Sequence, residues 1–420
     1  ARRQRQNPVA RQTQADYCPW SHLSRTSACQ QLGAKMILTN LTDRQQGRSR
    51  RISMDLVWEN RSAPPQTLYF SAEGSTAELL NPTADAFATA CLPLAAGLGE
   101  KRLHVEAKLC TRLRSGLRLV NEVFHTWYPD CSMLELQAAG GFEPLRPPTQ
   151  RRVAALLSGG VDGLTTLRQN RLDYPLDHPE SIRACITLFG INKFDLDAKG
   201  PVPERLAAFE SLLQRLHYLA EVEHFELHPV RTNVRSLAPS YKYWTRMGFG
   251  AGHVAVSQLF QGHFDKVLFA SDGDGPNPDP GAMHPLFNSH FSTDALRIQS
   301  EQDEMRRAEK IALLAEWDLG RRLMQPCHYV QIPEQGKINC GRCEKCVRTM
   351  LVLAGLGKLG EVSAFAENDI TADRIFRIPI NNRRKAKLLQ QAIPALRKVE
   401  RMDLVWAIRA RLALFHLIRT

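Results

Sequence analysis

Hydrophobic and polar residues alternate in the first third of the chain. A period of two residues predicts half-buried β-strands, and the stretches between them are rich in turn-forming residues. The alternating apolar positions are Met36 and Leu38, then Ile52, Met54, Leu56 and Trp58, then Leu68 and Phe70.

Helical spacing replaces this alternation after residue 80. Residues 84–92 are predicted to form a helix that stops at Pro93, because proline disfavours a continued helix. A strand is predicted at 104–109 and a second helix at 111–124. We therefore interpret residues 35–148 as a small α+β accessory domain that ends in the proline-rich linker PLRPP.

Apolar runs and amphipathic stretches alternate in residues 149–360. This order predicts an α/β domain, a parallel sheet with helices on both faces. Residues 245–260, rich in glycine, alanine and valine, are expected to pack closely against the sheet. The predicted strands are 153–157, 184–189, 225–230 and 266–270, with 323–330 as an apolar strand further on; the predicted helices start at 164 and span 203–222, 302–319 and 347–356.

The two ends of the chain differ from its middle. Residues 1–34 are polar and aperiodic, and we interpret them as a flexible arm. Residues 361–420 are predicted to be a basic, amphipathic helical tail, with apolar residues at helical spacing from Leu404 to Ile418. From residue 371 onward this tail has twelve basic and three acidic residues, an excess of nine in a chain of net charge +12.

Such a charge excess attracts polyanions or acidic partners. A solvated basic face on a docked helix is the favoured interpretation, because no RNA-binding motif accompanies the charge and aromatic residues make up 7% of the chain. Nucleic acid is therefore an open but less favoured partner.

Length and composition set the broad class. A chain of 420 residues is long enough for two domains. It has no run of about 18 apolar residues, so no membrane-spanning helix and no membrane partner are expected. No apolar segment follows the basic residues at the start, so we expect no secretory signal and a cytoplasmic protein.

The stretch LLSGGVDGLTT, residues 156–166, predicts a strand, a tight turn and a helix start. Gly159 and Gly160 have no Cβ, so backbone N–H groups can approach an anion closely. The helix start adds unsatisfied N–H donors and the positive end of its dipole. No Lys-Ser/Thr pair follows the glycines, so this is not a Walker A sequence. The alternative is a simple glycine turn between strand and helix.

The sequence INCGRCEKCVRTM holds a second motif. Its cysteines, together with Cys327 upstream, match the four thiolates of a tetrahedral Zn²⁺ site. An iron–sulfur cluster and redox-active thiols are the alternatives, and disulfides are not expected in a chain of this kind. The proposed ligands are Cys327, Cys340, Cys343 and Cys346. The other six cysteines are Cys18, Cys29, Cys91, Cys110, Cys131 and Cys185.

The glycine turn resembles the PP-loop, SGGxDS/T, of the N-type ATP pyrophosphatases. With the cysteine motif and Arg348, the chain resembles the 7-cyano-7-deazaguanine synthase family over about residues 152–357. The gap after Cys327 is longer than in the housekeeping enzymes, and residues 1–150 have no counterpart in them. We therefore expect a divergent member, and some divergent relatives belong to antiphage defence systems.

The resemblance implies a site for ATP and Mg²⁺. It assigns Asp162 and Ser158 to catalysis, with Asp162 at the Mg²⁺ and phosphate end. The signature's final Ser/Thr is Gly163 here, and Thr165 or Thr166 is the candidate replacement for its hydroxyl. The implied nucleotide-binding residues are Ser158, Gly159, Gly160, Val161, Asp162, Gly163, Thr165 and Gly190.

Ligands of doubly wound folds lie across the C-terminal ends of the strands. Gly190 follows a predicted strand, so its loop is expected to border the adenine. Arg231 follows another strand and is a candidate for binding phosphate or an acidic substrate; a solvated surface arginine is the alternative. The long loop after 266–270 supplies the candidate substrate residues Ser271, Asp272 and His284, or is a surface excursion.

Together these features predict an enzyme that adenylates a carboxylate and releases pyrophosphate. The resemblance suggests a 7-carboxy-7-deazaguanine-like acid, and then attack by ammonia or by an amine of a partner protein to give a nitrile or an amide. Two alternatives remain open: a PP-loop enzyme that modifies tRNA, and a nucleotide-binding scaffold without turnover. An oligomer is compatible with all three.

Overall fold

The computed structural model describes residues 35–59, 63–192, 195–197, 200–271, 280–327 and 338–417. The strands in these ranges are β1 Lys35–Gln46, β2 Ser49–Trp58, β3 Gln66–Glu73, β4 Arg102–Val105, β5 Leu109–Cys110, β6 Glu135–Ala138, β7 Phe142–Glu143, β8 Val153–Leu156, β9 Ile182–Phe189, β10 Leu196–Asp197, β11 Gly200–Pro201, β12 Glu226–Thr232, β13 Lys266–Ala270 and β14 Arg297–Glu301.

The helices of the described residues alternate with strands between β8 and β14 and also stand before and after that stretch. They are α1 Ser75–Leu79, α2 Ala84–Gly97, α3 Thr111–Trp127, α4 Val161–Asp173, α5 Pro203–Glu223, α6 Tyr241–Tyr243, α7 Phe249–Gln258, α8 Pro285–Asn288, α9 Arg307–Ala315, α10 Asp318–Leu323, α11 Glu344–Gly355, α12 Ala372–Arg377, α13 Arg383–Gln390, α14 Ile393–Lys398 and α15 Met402–Leu417.

Ten strands form one mostly parallel sheet, in the order β14-β13-β8-β9-β12-β3-β2-β1-β4-β6. The strands β14, β13, β8, β9 and β12 are parallel to one another. At the far side of this group β12 is antiparallel to β3, with Arg231 opposite Ser71 and Thr232 opposite Phe70. The α/β class is therefore confirmed. The domain boundary near residue 148 stays a prediction, and the sheet itself runs across it.

Helices cover both faces of the parallel strands. One core joins Ala154, Val267 and Phe269 to α2, α3 and α7. The other joins Val153 and Ala155 to α4, α5, α9, α11 and the tail helices. Successive side chains of a strand point to opposite faces, so β8 contributes to both cores in turn.

The alternating N-terminal residues are buried as predicted, with Met36, Leu38, Ile52, Met54, Leu56, Leu68 and Phe70 all 0% exposed. Two details of this region differ from the prediction. Pro93 does not stop a helix, because α2 continues to Gly97 and its residues up to Ala96 are buried in the core. Burial on this scale outweighs the cost of an internal proline. The predicted strand 104–109 is replaced by the separate strands β4 and β5.

Two predicted elements near the cysteine motif are corrected. The single helix 302–319 is instead α9 and α10, with a break at Glu316 and Trp317. The strand predicted at 323–330 is absent from its described part, since Leu323 ends α10 and residues 324–327 are irregular. Met324 is 0% exposed, so the apolar run reflects packing of an irregular segment rather than a strand.

The described part of the predicted helical tail contains the four α-helices α12 to α15. In α15 the apolar residues Leu404, Val405, Ile408, Leu412 and Phe415 are buried in the second core. Ile418 and the arm 1–34 lie outside the described residues. The tail is thus part of the fold as well as a carrier of charge.

A substitution at Gly116 tests the packing between helix α3 and the rest of the molecule. A Cβ at this position would lie 1.7 Å from the carbonyl oxygen of His290. Alanine normally stabilises a helix by about 1 kcal/mol relative to glycine. We expect the reverse here: Gly116→Ala should lower the free energy of unfolding by about 1–3 kcal/mol through overpacking, measured by urea denaturation.

The matched control is Ser115→Ala on the exposed side of the same helix. Its effect should stay within about 0.5 kcal/mol. Equal stability of the two variants would contradict the close contact between α3 and His290.

Candidate functional site

The strand β8 leads through a glycine turn into α4. Ser158 is exposed, Gly159 has a φ of 70°, and Gly160 precedes the first residue of α4 in extended geometry. In the described part of the chain no side chain caps the start of α4. Backbone N–H donors and the positive end of the helix dipole therefore face the turn, which is an arrangement that binds anions.

The turn lies where the strand order reverses. β8 has β9, the next strand in the sequence, on one side and the distant β13 on the other. In doubly wound sheets this reversal opens a crevice at the C-terminal ends of the strands, and ligands bind there. Ser158–Val161 and Ser271 follow β8 and β13, and so lie on the two sides of this crevice.

Asp162, in the first turn of α4, is held by two cations. Arg307 Nη1 donates to Asp162 Oδ2 at 2.5 Å, and Lys310 Nζ lies 3.7 Å from Oδ1. Burial raises the pKa of Asp162, but the charges of Arg307 and Lys310, the hydrogen bond from Arg307 and the charge of Lys345 outweigh it. The pKa therefore lies below its ordinary value, and Asp162 is a stable carboxylate.

Lys310 also connects the two sides of the crevice. Its side chain is 1% exposed, and its Nζ donates to the carbonyl oxygen of Ser271 at 2.7 Å. Ser271 itself is 1% exposed, and its N–H donates to the Glu301 carbonyl. The structure thus brings Ser271 to the turn through Lys310. Asp272, the neighbouring candidate, lies outside the described residues.

Sequence reasoning missed Arg307 and Lys310. The signal in the sequence was the charged face of the amphipathic stretch 302–319, which we did not connect with the glycine turn. Both residues are on α9, which packs against α4. Their approach to Asp162 depends on this helix pair, which a sequence pattern does not specify.

The candidate hydroxyl donors of the helix are already hydrogen-bonded within the protein. Thr165 is 0% exposed and donates to the Val161 carbonyl, while Thr166 donates to Gln302 Oε1. These contacts do not favour either threonine as a substitute for the missing hydroxyl. A Cβ at Gly163 would lie 3.2 Å from the Leu156 carbonyl oxygen, so a side chain would be crowded at this position.

Gly190 has a structural reason to be glycine. Its φ is 93°, and a Cβ would lie 1.6 Å from the Thr232 carbonyl oxygen. Its N–H donates to Asp195 Oδ2 at 3.1 Å. This close approach of β9 to β12 accounts for the residue, and its role beside adenine stays a prediction.

The remaining substrate candidates have structural contacts. Arg231 lies at the β12–β3 junction, where its guanidinium is 3.9 Å from Glu73. His284 packs against Trp127, with ring centroids 4.8 Å apart, and against Phe287. The structure places His284 in an aromatic cluster that involves α3, and substrate binding by Arg231 or His284 stays a prediction.

The four cysteines of the second motif form a compact cluster. Their Sγ atoms all lie within 4.8 Å of one another. The Cys340–Cys346 and Cys327–Cys343 Sγ separations are both 3.9 Å. Four thiolates at about 2.3 Å from one Zn²⁺ ion in a tetrahedron would be about 3.8 Å apart. The cluster therefore fits a single metal ion such as Zn²⁺.

Backbone hydrogen bonds help to position the cysteine sulfurs of this cluster. The Cys343 N–H donates to Cys340 Sγ at 3.3 Å, and the Cys346 N–H donates to Cys343 Sγ at 3.4 Å. Gly341 takes a φ of 61°, and its carbonyl accepts a hydrogen bond from Arg374 at 2.7 Å. These bonds form a knuckle that the tail holds in place.

The chain is therefore an α/β protein whose large, mostly parallel sheet has a glycine turn at its strand reversal and whose four-cysteine cluster can hold a metal ion. Comparison with protein-family models, with curated proteins and with solved structures gave no match. In the part of the chain that the structure describes, none of the helices is both long and apolar enough to cross a bilayer.

Metal analysis tests the cysteine cluster. We expect about one metal ion per chain, and Cys343→Ser should remove most of it because a structural site needs all four ligands. The Tm should fall by about 5 °C or more, since metal binding contributes directly to folding. The measurements are elemental analysis and thermal unfolding.

The control variant is Cys91→Ala, which changes a buried cysteine outside the cluster. It should keep the metal content of the unchanged protein. Equal metal content in Cys343→Ser would show that this cluster is not the metal site.

Proposed function

We propose that the protein binds MgATP at the glycine turn and adenylates a carboxylate, releasing pyrophosphate. The observation that carries this proposal is the SGGVD turn between β8 and α4 at the strand reversal, with Arg307 and Lys310 beside Asp162. The resemblance of the turn to the PP-loop supports the same conclusion. Such an enzyme, working with ATP and reduced thiols, belongs in the cytoplasm.

Each part of the site has a task in this proposal. The backbone N–H groups of the turn and of the first turn of α4 hold the β and γ phosphates. Arg307 and Lys310 add positive charge at the same place. Held in this way, the nucleotide presents its α phosphate to the second substrate, and positioning contributes much of the acceleration.

The chemistry proceeds in two steps. A carboxylate oxygen forms a bond to the α phosphorus, the bond to the bridging oxygen breaks, and pyrophosphate leaves. An amine then attacks the acyl carbon and loses a proton, and AMP leaves with the former carboxylate oxygen. By resemblance the acid is a 7-carboxy-7-deazaguanine-like base, and the amine is ammonia or belongs to a partner protein. In this proposal the cysteine cluster holds a structural Zn²⁺.

Asp162 changes partners in this reaction scheme. In the structure it is paired with Arg307 and lies near Lys310. A bound triphosphate would be a stronger partner for these cations, and the carboxylate of Asp162 would then be available to hold the Mg²⁺ that accompanies ATP. The low pKa of Asp162 keeps it ionised for either partner.

A second candidate is nucleotide binding without turnover. Two observations favour it: the signature's hydroxyl is missing at Gly163, and the hydroxyl of Thr165 is bonded to the Val161 carbonyl. In this case the protein would bind MgATP and release no pyrophosphate.

The test measures pyrophosphate and AMP formed from MgATP, with and without 7-carboxy-7-deazaguanine. We expect release that depends on the acid. The variant Asp162→Asn should reduce it by about 100-fold, the scale for removing a group that stabilises charge in a transition state.

The matched control is Asp173→Asn, an exposed residue at the other end of α4. It should leave the rate within about twofold, because surface changes of this kind have small effects. MgATP binding without pyrophosphate release would favour the scaffold. Absence of MgATP binding would reject both candidates.

A further inference from the structure

The segment that leads to Cys327 is bonded directly to the glycine turn. The Gln325 N–H donates to the Gly159 carbonyl at 2.8 Å. The Gln325 side chain is held in turn by Arg215, whose Nη2 donates to Oε1 at 2.8 Å. Only one residue separates Gln325 from Cys327. A ligand of the cysteine cluster is therefore two residues away from a backbone contact with the turn.

The same segment is fixed from its other side. Asn339, beside Cys340, is 1% exposed. Its side chain accepts from the Cys327 N–H at 3.3 Å and donates to the Met324 carbonyl at 2.9 Å. The residues around the first two cysteines thus form one hydrogen-bonded unit with the segment that contacts Gly159.

A second connection runs through α11. This helix begins directly after Cys343, whose Sγ accepts the Cys346 N–H. Lys345 therefore lies between two cysteines of the cluster. Lys345 and Arg348 line the same small cavity as Arg307, which contacts Asp162. The knuckle thus fixes the start of the helix that carries Lys345, whose charge helps to lower the pKa of Asp162.

Among the described residues at or beside this cavity, the cations outnumber the anions. Arg307 is bonded to Asp162, and Arg348 is paired with Glu344 within α11. Lys310, which is bonded to the Ser271 carbonyl and lies near Asp162, and Lys345 also carry positive charge on this side of the turn. An anionic ligand is attracted to such an excess, and charge-assisted bonds in a partly buried site are strong.

We propose that the cysteine knuckle and the glycine turn form one functional unit, in which the metal-bound knuckle holds Gln325 against Gly159 and presents Lys345 to the polyphosphate bound at the turn. This inference rests on the proposed binding of MgATP and makes Lys345 a phosphate-binding residue. The metal then supports ligand binding as well as stability.

The first test measures binding of MgATP and of inorganic pyrophosphate by calorimetry. Lys345→Gln should bind both about tenfold more weakly, the effect of one lost hydrogen bond to a charged group. It should keep about one metal ion per chain and an unchanged Tm. The matched control is Lys358→Gln just beyond the other end of α11, where the lysine pairs with Glu361; its affinity should be unchanged.

The second test removes the metal with a chelator and follows amide hydrogen exchange. Residues 157–164 should exchange at least about tenfold faster in the metal-free protein, since the turn loses the support of Gln325. Exchange in the remote strand β2 should be unaffected, which distinguishes a local effect from global unfolding.

The outcomes separate this inference from the proposed function. Full affinity in Lys345→Gln would overturn the role of Lys345. Unchanged exchange at 157–164 in folded, metal-free protein would overturn the coupling of knuckle and turn. If the unchanged protein bound neither MgATP nor pyrophosphate, the proposed function and the phosphate role of Lys345 would both fail, and hydrogen exchange would still decide the coupling.

Discussion

A parallel sheet must be buried on both faces, and the rest of this structure follows from that constraint. The helices that connect the parallel strands cover only part of them. The chain completes one face with α2 and α3, where α2 packs along α7, and the other face with α11 and the tail helices. The segments before and after the βα repeat are therefore parts of the two cores.

Several charged side chains of the tail form hydrogen bonds and ion pairs that support this packing. Arg374 donates to the Gly341 carbonyl and pairs with Glu367. Arg401 pairs with Asp369 and Asp403, and Arg411 donates to the Ile378 carbonyl. Basic side chains that cap backbone carbonyls and neutralise nearby acids have a structural role. The excess of positive charge is thus weak support for a nucleic acid partner.

Local patterns predicted most of the elements and little of their arrangement. Alternating apolar residues at Met36–Phe70 predicted strands buried on one face. Continuous apolar runs predicted strands buried on both faces, because burial determines which positions along a strand are apolar. The pairing of β12 with β3 left no such trace, since it joins residues far apart in the chain. Pro93 misled the prediction because propensity is a local quantity, whereas burial of α2 depends on the whole core.

In the candidate site, too, the local motifs were predicted and the contacts between them were not. Glycine spacing pointed to the turn and cysteine spacing to the cluster, because each feature depends on residues close in sequence. The contacts that join them are long-range: Asp162 to Arg307, Lys310 to Ser271, and Gln325 to Gly159.

Those contacts also bear on the MgATP that the proposed function assigns to the turn. In that proposal the ligand competes with Asp162 for Arg307. The Asp162 side chain is only 25% exposed, so its ion pairs are costly to break unless new ones form. A neutral ligand offers no replacement, and a monoanion only restores what is lost. A triphosphate supplies several charges at once and brings a divalent cation for the released carboxylate. The charges around the turn therefore support the proposed class of ligand, whichever acid is activated.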